Sequence, residues 1–191
     1  MKAARLEAFT DGVIAIVITI TVLEMKVPQD ASLAALRGSM PILLAYALSF
    51  INVGIYWNNH HHMLHATEKI DGSVLWANLF MLFWISLAPW VIRWIDETGF
   101  AAAPIAAYGF IFAMTALGYI WTQARIIAVN GRDSMVARAV GHDAKGKVSL
   151  ALYVSAIPLA FVSRPLAGMA YLAIAMLWLI PDRRIERELG R

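Results

Sequence analysis

The 191-residue chain contains no cysteine. That excludes disulfide frameworks, thiol catalysis, and zinc or iron–sulfur sites built on thiolates. Charge is also scarce. Asp, Glu, Lys and Arg make up 15% of the residues, against about 25% in a soluble domain. There is no Gly-x-Ser-x-Gly elbow, no Walker-type phosphate loop, no TVGYG-like filter and no low-complexity tract. Apolar residues are abundant instead, at 60% with a mean hydropathy of +0.64. A soluble fold of this size cannot hide so much apolar surface, so disorder and an ordinary cytosolic enzyme are excluded. The formal charge of +3 and pI near 9.3 reflect membrane topology rather than nucleic-acid binding, because basic residues of membrane proteins collect in cytoplasmic loops. The chain reads as an all-α integral membrane protein whose immediate partner is the lipid bilayer.

A spanning helix needs about 20 mostly apolar residues. Six candidate spans follow, at 9–25, 40–64, 74–95, 101–128, 148–162 and 166–180, within a single domain over 1–191. Ser163-Arg164-Pro165 reads as a tight hairpin between the last two. The period-2 alternation of a barrel is absent, as is any internal repeat. Thr10 and Asp11, with no small-residue cleavage site, argue against a signal peptide. With the N-terminus inside, twelve of the 16 Lys and Arg residues fall on the inner side and only Lys26, Arg37, Arg93 and Arg164 outside. Positive-inside therefore predicts a multi-pass protein of the plasma membrane with both termini cytoplasmic. The tail 182–191 reads as a solvated helical end, and the polar, basic stretch 130–147 as a loop.

The first span departs from a simple anchor, for it carries Arg5, Glu7, Thr10, Asp11, Thr19, Thr21 and Glu24. Ionisable groups at membrane depth need partners or a water-filled cavity. At 100° per residue, Gly12, Ile16, Thr19 and Leu23 share an arc of about 60°. Thr21 points the opposite way, where its hydroxyl can bond a carbonyl one turn back or a neighbouring helix. Two readings of the stripe stand. One is a helix-packing face in which Gly12 permits close approach. The other is a pore wall, with apolar constrictions at Ile16 and Leu23 and oxygens from Thr19, and it requires a symmetric oligomer because one helix encloses nothing.

A second constellation, Tyr56-Trp57-Asn58-Asn59-His60-His61-His62 with His65 beyond it, lies at the inner end of the second span. His61 and His65 share a face as i and i+4. No HExxH pattern or carboxylate cluster accompanies them, Glu68 being the one nearby acid, so no metal site is expected. Polar interface residues, or a hydrogen-bond network satisfying Arg5 and Asp11, are the readings that remain. In the third span, Asn78 lies near the inner start and Pro89 predicts a kink near the outer end. Trp90 and Trp94 sit where an aromatic belt is expected. Gly109, Gly118 and Gly168 suit close packing.

The run Arg5-Leu-Glu-Ala-Phe9-Thr10-Asp11-Gly12 resembles the first helix of the prokaryotic transmembrane protein 175 potassium channels, whose hallmark is Arg-x-x-x-Phe-Ser-Asp. Thr10 stands where serine is usual, keeping the hydroxyl and adding a methyl. Trp57-x-x-His60-His61, Leu75-Trp76-x-Asn78-Leu79 and Leu87-x-Pro89 resemble the same family. The resemblance covers most of the first 90 residues by motif and the rest by topology. It implies a homotetramer of six-helix chains with the first helices around a central pore. It also implies a constriction at Ile16, Thr19 and Leu23 beyond it, and a polar network of Arg5, Thr10 and Asp11 with Trp57, Asn78 and His61, His60 being the alternative to His61. The implied permeant ion is potassium, held near Thr19, with modest discrimination against sodium and no carbonyl filter. No cofactor is implied. Rival functions are a proton-coupled carrier using Asp11, Glu24 and the histidines, a metallohydrolase on the histidines, and a structural oligomer.

Overall fold

A computed structural model describes residues 3–28, 30–140 and 143–179. All regular structure among them is helical: α1 (Ala3–Leu23), α2 (Leu33–His65), α3 (Gly72–Ile85), α4 (Ala88–Glu97), α5 (Ala102–Asn130), α6 (Met135–Val140), α7 (Ala144–Val162) and α8 (Arg164–Leu179). The helix starts follow local chemistry. Ser32 caps α2 by accepting from the Ala35 amide at 3.1 Å, and the Asp71 carboxylate caps α3 by accepting from the amides of Ser73 and Val74. Pro28 precedes α2 in a segment with no helical structure. At α5's end Gly131 adopts φ +96°, a conformation glycine takes without strain.

Five segments are long and apolar enough to cross a membrane: Ala3–Leu23, Leu33–His65, Gly72–Glu97, Ala102–Asn130 and Ala144–Val162. The sixth expected span corresponds to α8, apolar but only 16 residues long within the described chain. At 1.5 Å per residue it covers about 24 Å, short of the roughly 30 Å hydrocarbon core. The third expected span is a single segment, Gly72–Glu97, and it carries the break expected near Pro89: α3 ends at Ile85, the chain turns at Ser86 and Leu87, and Pro89, in the first turn of α4, has no amide to continue the ladder. The stretch 130–147 is not all loop, since α6 and the start of α7 occupy much of it. The tail 182–191 lies outside the described residues.

The packing order places α5 at the centre, with α3 on one side and α7 on the other. Close approach of α3 and α5 depends on Gly118, where a Cβ would lie 2.7 Å from the Met81 Cα. Helices α7 and α8 form the expected hairpin through Ser163 alone. Helix α1 lies at the edge of the bundle against α2, α3 and α4, with most of its length away from the core. Helix α2 is the longest of the described helices, about 50 Å at the same rise, which exceeds the roughly 30 Å depth of a bilayer core.

Candidate functional site: the two faces of the first helix

Leu6, Thr10, Ile14, Val17 and Thr21 are the buried side of α1. Their spacing of three and four residues is one helical stripe, and it seats α1 on its neighbours. The stripe Gly12, Ile16, Thr19 and Leu23 lies opposite and is exposed along its whole length. Ile16 is 58% accessible and Leu23 80%, and a Cβ at Gly12 would meet nothing within 4 Å. The Thr19 hydroxyl lies 3.0 Å from the carbonyls of both Ala15 and Ile16. Its proton therefore points into its own helix, which leaves oxygen lone pairs toward the open side. Thr21 does the same on the buried face, donating to the Val17 carbonyl at 2.6 Å.

The buried stripe is fastened near its N-terminal end by a polar chain across three helices. Thr10 and Asn78 have no accessible surface and His60 has almost none. Asn78 Nδ2 donates to the Thr10 hydroxyl oxygen at 2.9 Å, and Asn78 Oδ1 meets His60 Nε2 at 2.8 Å. With the amide donating to threonine, the carbonyl oxygen faces the imidazole, so His60 carries its proton on Nε2. Among the described residues, none of the buried polar side-chain atoms of Thr10, Asn78 or His60 is left without a hydrogen-bond partner, as expected of buried polar groups.

A second layer is more exposed. Trp57 Nε1 donates to Asp11 Oδ1 at 2.9 Å. Glu7 Oε1 lies 2.7 Å from His61 Nδ1 and 3.5 Å from His65 Nδ1. Trp57 stacks beside His61 with ring centroids 6.1 Å apart. The structure thus brings Thr10, Asn78 and His60 together in one chain, and Asp11 with Trp57 in another. His61 turns to Glu7 instead of Asn78. Arg5 is exposed and forms no ion pair among the described residues, and Phe9 is half exposed beside it.

At the other end of α1, Glu24 accepts from Arg93 Nη1 at 2.8 Å, and Arg93 Nε donates to Glu97 at 3.0 Å on α4. Sequence reading singled out neither Glu7 nor Arg93 as a site residue. The available signal for Glu7 was its placement one turn before Asp11, on a helix already rich in polar groups.

A family model described as endosomal/lysosomal potassium channel TMEM175 matches residues 5–89, the portion that contains every residue of this site apart from the α4 pair. A potassium channel of Chryseobacterium sp. (strain P1-3) is 47% identical over 189 residues, covering 99% of this chain and 98% of that protein. A potassium channel of Streptomyces collinus is 30% identical over 192 residues, covering 92% and 90%. The crystal structure of a lysosomal potassium-selective channel TMEM175 homolog from Chamaesiphon minutus superimposes with a TM-score of 0.82 at 26% identity, covering 93% of this chain and 96% of that one. Matched from end to end by a bacterial potassium channel, and sharing the architecture of a crystallised homologue, the chain belongs to the prokaryotic TMEM175 family of ion channels.

Proposed function

We propose that the chain is one subunit of a potassium-permeable cation channel, a homotetramer in the plasma membrane with both termini cytoplasmic. Each chain contributes a single six-span domain, α8 being the sixth span, and four copies of α1 enclose the pore. The observation that carries this reading is the division of α1 into two faces. One is fastened to its own chain through Thr10, Asn78 and His60, while the Gly12, Ile16, Thr19 and Leu23 stripe is exposed along its length among the described residues. Full-length relatives named potassium channels support the choice of ion.

In this arrangement a ring of Ile16 side chains forms the hydrophobic gate, narrowing the path by dewetting, and Leu23 adds a second apolar ring. The outward lone pairs of four Thr19 hydroxyls replace part of the hydration shell of an ion passing between the rings. Potassium surrenders water more readily than sodium, so partial dehydration at such a wall yields a modest preference without a TVGYG-type filter. Arg5, Phe9 and Asp11, exposed or half exposed in one chain, are available to groups of the neighbouring subunit and serve assembly or gating.

A proton-coupled carrier is not favoured. Glu24 lies 13 residues from Asp11, about 20 Å along the helix, and is engaged by Arg93. A relay from the histidines through Asp11 to Glu24 would have to cross the apolar stretch between them.

The test is potassium and sodium flux through purified protein in liposomes, with Ile16→Asn beside the wild type. Potassium-favouring flux that the substitution raises or makes less selective is the expected outcome. Absence of flux in both proteins, with insertion verified, would overturn the channel reading.

A further inference from the structure

Glu7, His61 and His65 each direct one donor atom to a common point, and the three donors lie within 4.8 Å of one another. We propose that they form a binding site for a divalent transition-metal ion, held by one carboxylate oxygen and two imidazole nitrogens, that ties the N-terminal part of α1 to the end of α2.

The geometry is close to what such an ion needs. Metal–ligand bonds of about 2.0–2.1 Å at tetrahedral angles place neighbouring donors about 3.3 Å apart. The observed separations from Glu7 Oε1, 2.7 Å to His61 and 3.5 Å to His65, straddle that value. The short contact now holds a proton between Glu7 and His61, which is the place an ion would take. His61 and His65 are i and i+4 on α2, and their rings are 4.3 Å apart between centroids. Backbone geometry therefore sets their spacing before any ligand arrives. Glu7 is the more enclosed partner, its side chain 18% accessible, while His65 is open at 55%, leaving room for water as a fourth ligand.

The donor set also selects the ion. Two imidazoles and one carboxylate suit zinc, cobalt, nickel and copper, whereas calcium and magnesium prefer oxygen alone. With no cysteine in the chain, no thiolate competes for these metals. Sequence spacing hides the site, because the acid comes from a helix 54 residues away, whereas Glu68, next to the histidines in sequence, is exposed and lends its amide to Asn130.

The experiment is cobalt(II) titration of the full chain without an affinity tag, followed by its visible absorption in the range of low-coordinate nitrogen–oxygen sites, and then zinc displacement. One ion per chain is expected, with affinity reduced at least about ten-fold in His65→Gln and in Glu7→Gln and unchanged in His62→Gln. His65 is exposed, so its variant remains informative should Glu7→Gln fold poorly, and size-exclusion profiles verify each protein. Cobalt bound equally well by wild type and His65→Gln, or bound by the wild type at millimolar levels only, would overturn the site.

Discussion

Asn78 on α3 donates to the Thr10 hydroxyl on α1 at 2.9 Å across a sequence separation of 68 residues, and both side chains are without accessible surface. Threonine at this position keeps the oxygen that the bond requires while its methyl fills adjoining space. Removing the oxygen leaves an amide N–H with no water to turn to.

Thr10→Val should therefore destabilise the chain by about 1–2 kcal/mol, between the modest worth of hydrogen bonds measured in membranes and the larger penalty of an unsatisfied buried donor. Thr10→Ser should remain near wild type. Thermal unfolding in detergent, monitored by circular dichroism, compares the two; equal melting temperatures for valine and serine would show that the bond contributes nothing.

Thr19→Val tests the proposed selective layer. The two side chains are nearly the same shape, and Thr19 bonds only its own helix, so folding should be unaffected. Loss of the hydroxyl ring should reduce the potassium-to-sodium permeability ratio by a few-fold, corresponding to about 1 kcal/mol. Reversal potentials in bi-ionic conditions supply the ratio.

Two glycines give opposite expectations. Gly118→Ala forces a Cβ against the Met81 backbone, and overpacking of this kind costs about 1–3 kcal/mol. A Cβ at Gly12 meets nothing within 4 Å among the described residues, so the Gly12→Ala subunit should fold normally. Altered flux or altered oligomer size in Gly12→Ala would then report on the surroundings of α1 in the assembly, and melting temperature separates the two cases.

Asp71 offers a pH test outside the spans. Hydrogen bonds, first from the Ser73 hydroxyl and then from backbone amides, hold its carboxyl below the usual carboxylate range. A lowered folded-state value means that the cap stabilises the protein fully above the ordinary carboxylate pKa, and the contribution is lost as pH falls through the depressed value. Asp71→Ala should lower the melting temperature at neutral pH, with the gap to wild type closing in acid.

The hydropathy of the chain made the apolar segments legible, and the Arg5 to Gly12 run pointed to the family, because both signals are local. Pro89 announced the break between α3 and α4 for the same reason. What sequence could not decide was tertiary. His60 and His61 point about 100° apart on a helix, and only the position of Asn78 chooses between them. Glu7 finds its histidines, and Glu24 its arginine, on other helices. Helix α6 is six residues long, too short for a helical period to show in the sequence.

The outward face of α1 has a consequence for how the channel comes into being. Apart from one threonine whose proton is turned inward, that face presents apolar side chains and glycine, and hydrocarbon tails solvate such a surface without penalty. On the proposed assembly a lone subunit can insert with the Thr10, Asn78 and His60 bonds already made inside its own chain before it meets another. In the proposed tetramer, pore formation would then be a collision event within the plane of the membrane, and flux per molecule should climb steeply as subunits are crowded into less lipid.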